Sequence, residues 1–207
     1  IFNSLGCKTI EIGFSSEDRQ APQFTKDKSK FFHLAGGSTL KGTEDILALW
    51  EKHPEWPILT LVQKAKNAPD KVPENVDLHC GYLSDEELLK LQNECGIHLC
   101  PSRSEGWGHH ILEALSTGAL VLTTNAAPMN EHVDDDCGVL VDYDRQSPRH
   151  LGTNFYADRD KLETAIIKLI EMREEEFTQK SDKARKAFNA IQQRHTAWFS
   201  QFLTAMD

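Results

Sequence analysis

Short apolar runs rich in β-forming residues alternate with segments of helical periodicity along most of the chain. Seven runs predict strands, at Thr9–Phe14, Phe31–Ala35, Ile58–Val62, Val76–Cys80, Ile97–Cys100, Leu120–Thr123 and Gly138–Val141. Three segments between them predict helices, at Thr43–Lys52, Ser84–Glu94 and His109–Thr117, and two or three more helices are expected from Asp158 to the end. Strands that alternate with helices of about ten residues favour parallel strands joined by right-handed crossovers. The predicted fold class is therefore α/β, a Rossmann-like doubly wound parallel sheet with helices on both faces.

The composition and net charge of the chain limit the classes of partner that it is expected to bind. The chain has 207 residues, of which 39% are hydrophobic and 27% charged, so it can bury a full core. A net charge of -9 argues against a nucleic acid or an anionic membrane as the main partner. Five cysteines without a CxxC spacing favour reduced thiols rather than a disulfide framework. No signal peptide or long apolar run is present, so we expect a cytoplasmic chain without a membrane span.

The chain is predicted to divide into a short leading segment and one domain. Residues 1–24, which include Pro22 and several polar residues, are interpreted as a linker strand that leads into the domain. Residues 25–207 are predicted to form the Rossmann-like domain with its C-terminal helices. Because the chain begins with Ile1 rather than Met, it is interpreted as a piece of a longer protein.

The loop that follows the strand Phe31–Ala35 suits a phosphate. Gly36 and Gly37 allow a backbone to approach a ligand closely, and Lys41 places a positive charge beside the N-terminus of the next helix. Thr43 is a candidate cap for that helix. The same residues also fit an ordinary tight turn with an exposed lysine, and the glycine spacing matches neither a P-loop nor GxGxxG.

A second loop places two glutamates around a Gly-Trp-Gly sequence. Glu105 lies in the loop, and Glu113 lies about one turn into the following helix, with a side chain that leans back toward the helix N-terminus. Two carboxylates and a row of backbone amides suit a polyhydroxylated ligand that carries phosphate. On a helical wheel, however, Glu113 lies nearly opposite Leu115 on the apolar face, where a solvated glutamate is ordinary. His109 and His110 share this polar side of the helix.

Two further loops carry less information. Residues 123–131 form a polar loop at the same predicted sheet edge, which could close over a ligand. In the loop after Val76–Cys80, Ser84 and Glu87 predict a capping box for the next helix, and Tyr82 could border a nucleotide base.

These residues carry a resemblance to a known family. Glu105 and Glu113, with the intervening glycines, resemble the E-x7-E signature of the retaining glycosyltransferase family 4. Lys41-Gly42 is similar to the phosphate-binding Lys-Gly of that family, and Glu131 falls where its second acidic loop residue lies. The features follow the family order and spacing from about Phe31 to Val141.

The resemblance implies the C-terminal half of a GT-B glycosyltransferase, in which two Rossmann-like domains face each other across a cleft. This chain would be the half that binds the nucleotide-sugar donor, and its partner would be a missing N-terminal domain that binds an acceptor. The implied reaction transfers a hexosyl group with retention of configuration. It needs no metal or other cofactor, because Lys41 and the backbone amides at helix ends would stabilise the negative charge on the leaving diphosphate.

The resemblance also implies a role for each site residue. Glu105 would be the catalytic residue, near the reacting carbon of the donor sugar. Lys41 would pair with the diphosphate, and Glu113 would accept the ribose hydroxyls. The full set of implied nucleotide-sugar-binding residues is Gly37, Lys41, Tyr82, Leu83, Gly106, Trp107, Gly108 and Glu113, with the backbone around Tyr82 and Leu83 bordering the base.

The sequence departs from the family pattern at three positions. The arginine that many members carry shortly before the Lys-Gly is absent, because Gly36, Gly37 and Ser38 occupy that region. Gln63 replaces a glycine that often ends the third strand, and Trp107 replaces a phenylalanine. The missing arginine would weaken donor binding.

Three alternatives stay open at the level of sequence. A nucleotide-sugar epimerase or phosphorylase of the same architecture would share the binding chemistry. A non-catalytic module that binds a nucleotide-sugar or a partner would fit the missing arginine. A zinc site formed by Cys95, His98 and Cys100 is disfavoured, because His98 and Cys100 alternate within an apolar strand and the spacing lacks a second pair of ligands.

Overall fold

Six parallel strands form the central sheet of the domain. The computed structural model describes residues 3–9 and 13–204. The strands are β1 (Asp27–Gly36), β2 (Leu59–Gln63), β3 (Val76–Cys80), β4 (Cys95–Cys100), β5 (Leu120–Thr124) and β6 (Gly138–Val141). Their spatial order is β3-β2-β1-β4-β5-β6, and every neighbouring pair is parallel. This is the strand order of a doubly wound Rossmann-like sheet, so the predicted fold class is confirmed.

Among the described residues, five α-helices cover the sheet. They are α1 (Thr43–Lys52), α2 (Asp85–Glu94), α3 (His109–Ser116), α4 (Arg159–Glu171) and α5 (Glu174–Thr204). The first three coincide closely with the predicted helices, and α4 and α5 account for the helices expected after Asp158. The predicted capping box of α2 is confirmed. The Ser84 hydroxyl accepts from the Glu87 amide at 3.2 Å, and the Glu87 carboxylate accepts from the Ser84 amide at 2.8 Å.

Apolar side chains alternate along the central strands, so the sheet buries a core on each face. Phe31 of β1 packs with Trp50 of α1 and Ile166 of α4 on one face. The adjacent residue Phe32 points to the other face, where it packs near α2. Val121 of β5 also faces that side and packs with α3 and α5. Both faces of the parallel sheet are therefore shielded from water, as parallel sheets require.

Two buried histidines of the central strands hydrogen-bond to a neighbouring strand and to the helices that cover the sheet. His33 in β1 donates from Nδ1 to the carbonyl of Leu99 at 2.7 Å, and its Nε2 accepts from the Thr43 hydroxyl at 2.9 Å. Its burial lowers the pKa of His33 to about 4. In β4, His98 donates from Nε2 to the carbonyl of Gln92 at 3.1 Å, and burial lowers its pKa to about 3. Both imidazoles are neutral structural groups at neutral pH.

The segment before β1 is packed against the domain although residues 13–26 contain no helix or strand. Arg19 donates from its backbone amide to the Ser116 hydroxyl at 2.9 Å and from Nε to the Gln92 carbonyl oxygen at 3.0 Å. The strand predicted at Thr9–Phe14 falls partly on residues 10–12, which lie outside the described residues, and Thr9 and Phe14 are not in a strand. The boundary at residue 24 stays a prediction.

A β-hairpin lies between β6 and α4, where the sequence pattern predicts no element. Strands β7 (Tyr143–Arg149) and β8 (Gly152–Ala157) pair antiparallel in a second, two-stranded sheet between β6 and α4. Almost every β7 residue is exposed, and Pro148 interrupts the strand, so the sequence lacks the apolar alternation from which strands are predicted. Phe155 of β8 packs against the core that α3 and α5 share.

Gly42 lets the loops after β1 and β4 approach each other. It is the N-cap of α1 and has a left-handed backbone, with φ 73°. A Cβ at this position would clash with the carbonyl oxygen of Pro101, the first residue after β4. The contact between these two loops therefore requires glycine.

We expect Gly42→Ala to destabilise the domain more than Gly36→Ala. Both glycines have positive φ, so each alanine costs about 1–2 kcal/mol of backbone strain. A Cβ at Gly36 has no atom within 4 Å, whereas one at Gly42 meets Pro101. Urea unfolding of the two variants measures the difference, and equal losses would show that the close approach of the loops adds nothing to the cost.

Candidate functional site

A cavity of about 690 Å³ opens at the carboxyl edge of the sheet, above β1 and β4. The strand order reverses between these two strands, because β1 to β3 extend one way and β4 to β6 the other. The loops after β1 and β4 diverge there, and such a crevice is where doubly wound sheets bind ligands. The described residues that line it are Leu34, Ala35, Gly36, Gly37, Ser38, Lys41, Glu105, Gly106, Trp107, Gly108, His109, His110 and Glu113.

Lys41 and Glu105 form an ion pair across the cavity. The Lys41 ammonium lies 2.6 Å from Oε1 of Glu105, and both side chains are less than a fifth exposed, at 16% and 13%. Lys41 comes from the loop after β1 and Glu105 from the loop after β4, so the pair joins the two loops. A charge-assisted hydrogen bond of this length, largely shielded from water, is among the stronger polar contacts in proteins. The positive and negative charges therefore neutralise each other in the absence of a ligand.

His110 supports the Lys41 ammonium from the first turn of α3. Burial, reinforced by the charge of Lys41, lowers the pKa of His110 well below its usual range, so its ring is neutral. Nδ1 lies 3.1 Å from the ammonium and accepts from it, which leaves Nε2 to donate to the Ser102 hydroxyl at 3.3 Å. Lys41 is thus held between a carboxylate and a neutral imidazole, and its position is fixed.

Glu113 lines the same cavity from α3. Its side chain is only partly exposed, and its Oε2 accepts a hydrogen bond from Nε2 of Gln92 at 3.1 Å. Gln92 is itself buried and accepts from Arg19, so a chain of polar contacts orients the carboxylate. Glu113 is therefore not the freely solvated residue that its position on the helical wheel suggests.

Trp107 fixes the glycine-containing loop between Glu105 and α3. Its carbonyl accepts from Nε2 of His132 at 2.7 Å, and the two rings make an edge contact with centroids 4.5 Å apart. Phe14 also contacts the indole, at 6.0 Å between centroids. These contacts hold the loop rigid, so that its backbone faces the cavity without the entropy cost of ordering a mobile segment.

The structure brings most of the predicted site residues together. Gly37, Lys41, Glu105, Gly106, Trp107, Gly108 and Glu113 all line the one cavity. Tyr82 and Leu83 do not line it. Tyr82 is 93% exposed, and Leu83 packs against the core cluster near α2. Glu131 lies beside a separate, smaller cavity, of about 200 Å³, on which Trp107 also borders.

Arg103 is a structural residue of the site that the sequence did not reveal. Its backbone amide donates to the carbonyl of Leu40 at 2.8 Å, next to Lys41. Its guanidinium pairs with Glu44 at 3.0 Å and Asp45 at 3.1 Å at the start of α1. These carboxylates help to raise the pKa of Arg103, although burial alone would lower it. Arg103 therefore ties the loop that carries Glu105 to the loop that carries Lys41.

The β7–β8 hairpin is attached to the same residue. The amide of Phe155 donates to the carbonyl of Arg103 at 2.7 Å. The guanidinium groups of Arg103 and Arg145 both lie over the Tyr156 ring, at 4.8 Å and 3.6 Å from its centroid. No sequence pattern marks Arg103 for this role, because its partners are distant along the chain.

Within the described part of the chain, no group of three or more His, Cys, Asp or Glu side chains is arranged to hold a metal ion. Cys95, His98 and Cys100 therefore do not form the zinc site that was considered as an alternative, and His98 bonds to a backbone carbonyl instead. None of the described helices, including the long α5, combines the length and apolar character needed to cross a bilayer.

Comparison with known proteins identifies related sequences. The sequence model of the family described as "Glycosyl transferases group 1" matches residues 66–187. The chain is 32% identical over 71 residues to the serotype-specific mannosyltransferase WbdA of Escherichia coli, an alignment that covers 34% of this chain and 9% of that protein. The matched family region includes Glu105 and Glu113 but begins after Lys41.

Solved structures share the fold. A glycosyltransferase from Rickettsia africae superposes with a TM-score of 0.68 at 13% identity, over 86% of this chain and 48% of that one. The pneumococcal O-GlcNAc transferase GtfA, solved with UDP and GlcNAc, gives a TM-score of 0.65 at 14% identity, over 96% and 40%. The chain thus spans about half the length of the first and less of the second.

Arg103→Ala is expected to destabilise the domain by about 1–3 kcal/mol, because Glu44 and Asp45 lose charged partners and the stacking on Tyr156 is lost. Arg159 also pairs with Asp45 at 2.8 Å and limits the loss. Arg145→Ala is the matched control. It removes the contact with Tyr156 without breaking an ion pair to α1 and should cost about 0.5–1 kcal/mol. Chemical denaturation compares the two, and a larger loss for Arg145→Ala would contradict the role given to Arg103.

Proposed function

This chain belongs to the glycosyl transferases group 1 family, and from that membership we propose that it is the donor-binding domain of a retaining, family 4-like glycosyltransferase. The domain would bind a nucleoside-diphosphate sugar, from which the enzyme transfers a hexosyl group to an acceptor. The observation that carries the proposal is the convergence of Lys41, Glu105 and Glu113 on one cavity at the point where the strand order reverses. A cation with two carboxylates and exposed backbone amides suits a ligand that is both phosphorylated and polyhydroxylated.

The dimensions of the cavity support a ligand of this class. Its volume of about 690 Å³ lies within the range of roughly 300–1,000 Å³ that small-molecule sites occupy. We assign the diphosphate to Lys41, the ribose hydroxyls to Glu113 and the donor sugar to Glu105. Lys41 and Glu105 are in contact, so the diphosphate and the reacting carbon next to it would share one end of the cavity.

The proposed chemistry relies on charge stabilisation. As the bond between the sugar and the diphosphate breaks, negative charge develops on the leaving diphosphate oxygen. Lys41 and the backbone amides at the start of α3, which begins at His109, would stabilise that charge. His110 is neutral and already hydrogen-bonded to the Lys41 ammonium, so the lysine would need little reorganisation when the ligand binds.

The rest of the proposed enzyme lies outside this chain. The chain covers 48% of the Rickettsia africae glycosyltransferase, and we propose that the missing part includes an N-terminal domain that binds the acceptor. The whole would be a two-domain GT-B enzyme of the cytoplasm. The mannosyltransferase WbdA and the GtfA complex with UDP support a nucleotide-linked hexose as the donor class.

One observation favours a second candidate, a module that binds the donor without catalysing transfer. Lys41 is the only lysine or arginine among the described residues that line the cavity, and Glu105 already neutralises it. Such a module would bind nucleotides weakly and would not depend on Glu105.

We expect Lys41→Ala to weaken the binding of a nucleoside diphosphate by roughly tenfold or more, because a hydrogen bond to a charged group contributes about 1.5–3 kcal/mol. Binding of the bare nucleoside should change little.

A thermal-shift screen of UDP, GDP and ADP first identifies the base, since a ligand that binds only the folded state raises the midpoint of thermal unfolding. Isothermal titration then compares the two ligands. Lys90→Ala, on α2, is the control, and equal losses for both ligands would remove Lys41 from the diphosphate site.

A second titration should distinguish the roles of Glu105 and Glu113. Glu113→Gln is expected to weaken nucleoside diphosphate and nucleotide-sugar alike, by about 1–3 kcal/mol, because both ligands carry the ribose. Glu105→Gln should weaken only the nucleotide-sugar. It should also tighten the nucleoside diphosphate a few-fold, since Lys41 loses its competing carboxylate. Glu171→Gln, on α4, controls for charge. Parent-like binding of both ligands by Glu113→Gln would contradict its assignment to the ribose.

A further inference from the structure

The cavity lining carries too little positive charge for a diphosphate. Among the described residues that line it, one lysine faces two glutamates, and His110 is neutral. A nucleoside diphosphate carries about two to three negative charges of its own, so the one lysine of this lining balances only part of that charge. Lys41 is in addition hydrogen-bonded to Glu105. A ligand of the proposed class therefore needs further cations close to the cavity.

Two lysines lie beside Gly37, at the rim of the cavity. The chain leaves β2 at Gln63 and forms a single turn in which Lys64 and Lys66 flank Ala65. A Cβ on Gly37 would lie 3.3 Å from Cδ of Lys64 and 3.8 Å from Cε of Lys66. Both aliphatic stems therefore pass next to this glycine, which itself lines the cavity.

The turn is fixed to the cavity wall by backbone contacts. The amide of Lys64 donates to the carbonyl of Gly36 at 2.8 Å, and the side-chain amide of Asn67 donates to the carbonyl of Gly37 at 2.9 Å. The position of the two lysines relative to the cavity is thus set by the same glycines that form its wall. Only their flexible side chains remain to be ordered by a ligand.

Both ammonium groups are uncommitted. Lys64 and Lys66 are exposed, and neither side chain makes a hydrogen bond or an ion pair with any residue that the structure describes. By contrast, the arginine closest along the chain to Glu105, Arg103, is already paired with Glu44 and Asp45. The two lysines are therefore able to turn toward an anion at the cavity mouth without first breaking an ion pair.

We propose that Lys64 and Lys66 form the second cationic side of the diphosphate site, opposite Lys41. This inference rests on the proposed function, because it assigns residues to the phosphates of the same ligand. Lys41 would bind one phosphate from inside the cavity, and the two rim lysines would close over Gly37 onto the other. The affinity for the ligand would then depend on charges outside the cavity lining.

The test replaces both lysines in the full chain and uses three probes. Lys64→Gln/Lys66→Gln should weaken UDP, GDP or ADP, whichever the parent binds, by roughly tenfold or more, since each charge-assisted contact contributes to binding. Binding of the corresponding nucleoside should stay within about twofold. Inorganic pyrophosphate, which has no base or ribose, should be weakened as strongly as the diphosphate. Lys64→Arg/Lys66→Arg should retain tight binding, because the positive charge is kept.

A matched control and a salt titration complete the experiment. Lys168→Gln/Lys186→Gln makes the same charge change at exposed positions of α4 and α5 and should leave all three affinities unchanged. The parent should lose diphosphate affinity with added salt more steeply than Lys64→Gln/Lys66→Gln does, because screening acts on the exposed charges. Parent-like affinity of Lys64→Gln/Lys66→Gln for both diphosphate and pyrophosphate would overturn the inference and leave the proposed function standing. A parent chain that binds no nucleoside diphosphate would overturn the proposed function itself.

Discussion

The parallel pairing of β1 with β4 determines where every side chain of the cavity lies. The two strands are hydrogen-bonded side by side at the centre of the sheet, but the crossovers that leave them run in opposite directions. Their loops therefore start from adjacent points and diverge, which opens a crevice between them. The contact of Gly42 with Pro101 and the hydrogen bond from Arg103 to Leu40 hold the bases of the loops together. Lys41 and Glu105 meet because their loops are fixed in this way.

The ion pair at the centre of the cavity has two consequences for binding. It holds the Lys41 ammonium in a defined position, with His110 as the second hydrogen-bond acceptor. The ammonium is therefore ordered before a ligand binds. It also sets Glu105 in competition with any anion for the same cation. A phosphate that binds Lys41 must share it with the carboxylate, and the strength of binding then depends on charges contributed from elsewhere.

The parts of the fold that could be predicted from sequence are those governed by local pattern. The strand predicted at Phe31–Ala35 and the capping box of Ser84 and Glu87 depend on near neighbours, and both predictions are confirmed. The rule that ligands bind beyond the carboxyl ends of parallel strands was sufficient to place Lys41, Glu105 and Glu113 near one another. Their individual roles in binding and catalysis stay predictions.

The parts of the fold and the site that could not be predicted depend on contacts between residues far apart in sequence. His110 was treated as a polar residue at a helix start, because nothing local shows that the helix turns it toward Lys41 and buries it. No sequence pattern indicated the role of Arg103. Its partners lie in α1 and in a β-hairpin, and the strands of that hairpin lack apolar alternation. Tyr82 is 93% exposed and does not line the cavity, and its role beside a base stays a prediction.

The buried imidazoles described above link the stability of the domain to protons. His33, His98 and His110 are all held neutral by burial, with pKa values below the ordinary value of about 6.5. An unfolded chain would protonate all three as the pH falls below that value, whereas the folded chain resists doing so. Each imidazole then lowers the free energy of unfolding by about 1.4 kcal/mol per pH unit. This effect ends when the pH reaches the pKa that the imidazole has in the folded protein. These three imidazoles are therefore expected to reduce the free energy of unfolding as the pH falls below about 6.5, whereas His53, whose pKa is raised by Glu163, acts in the opposite direction.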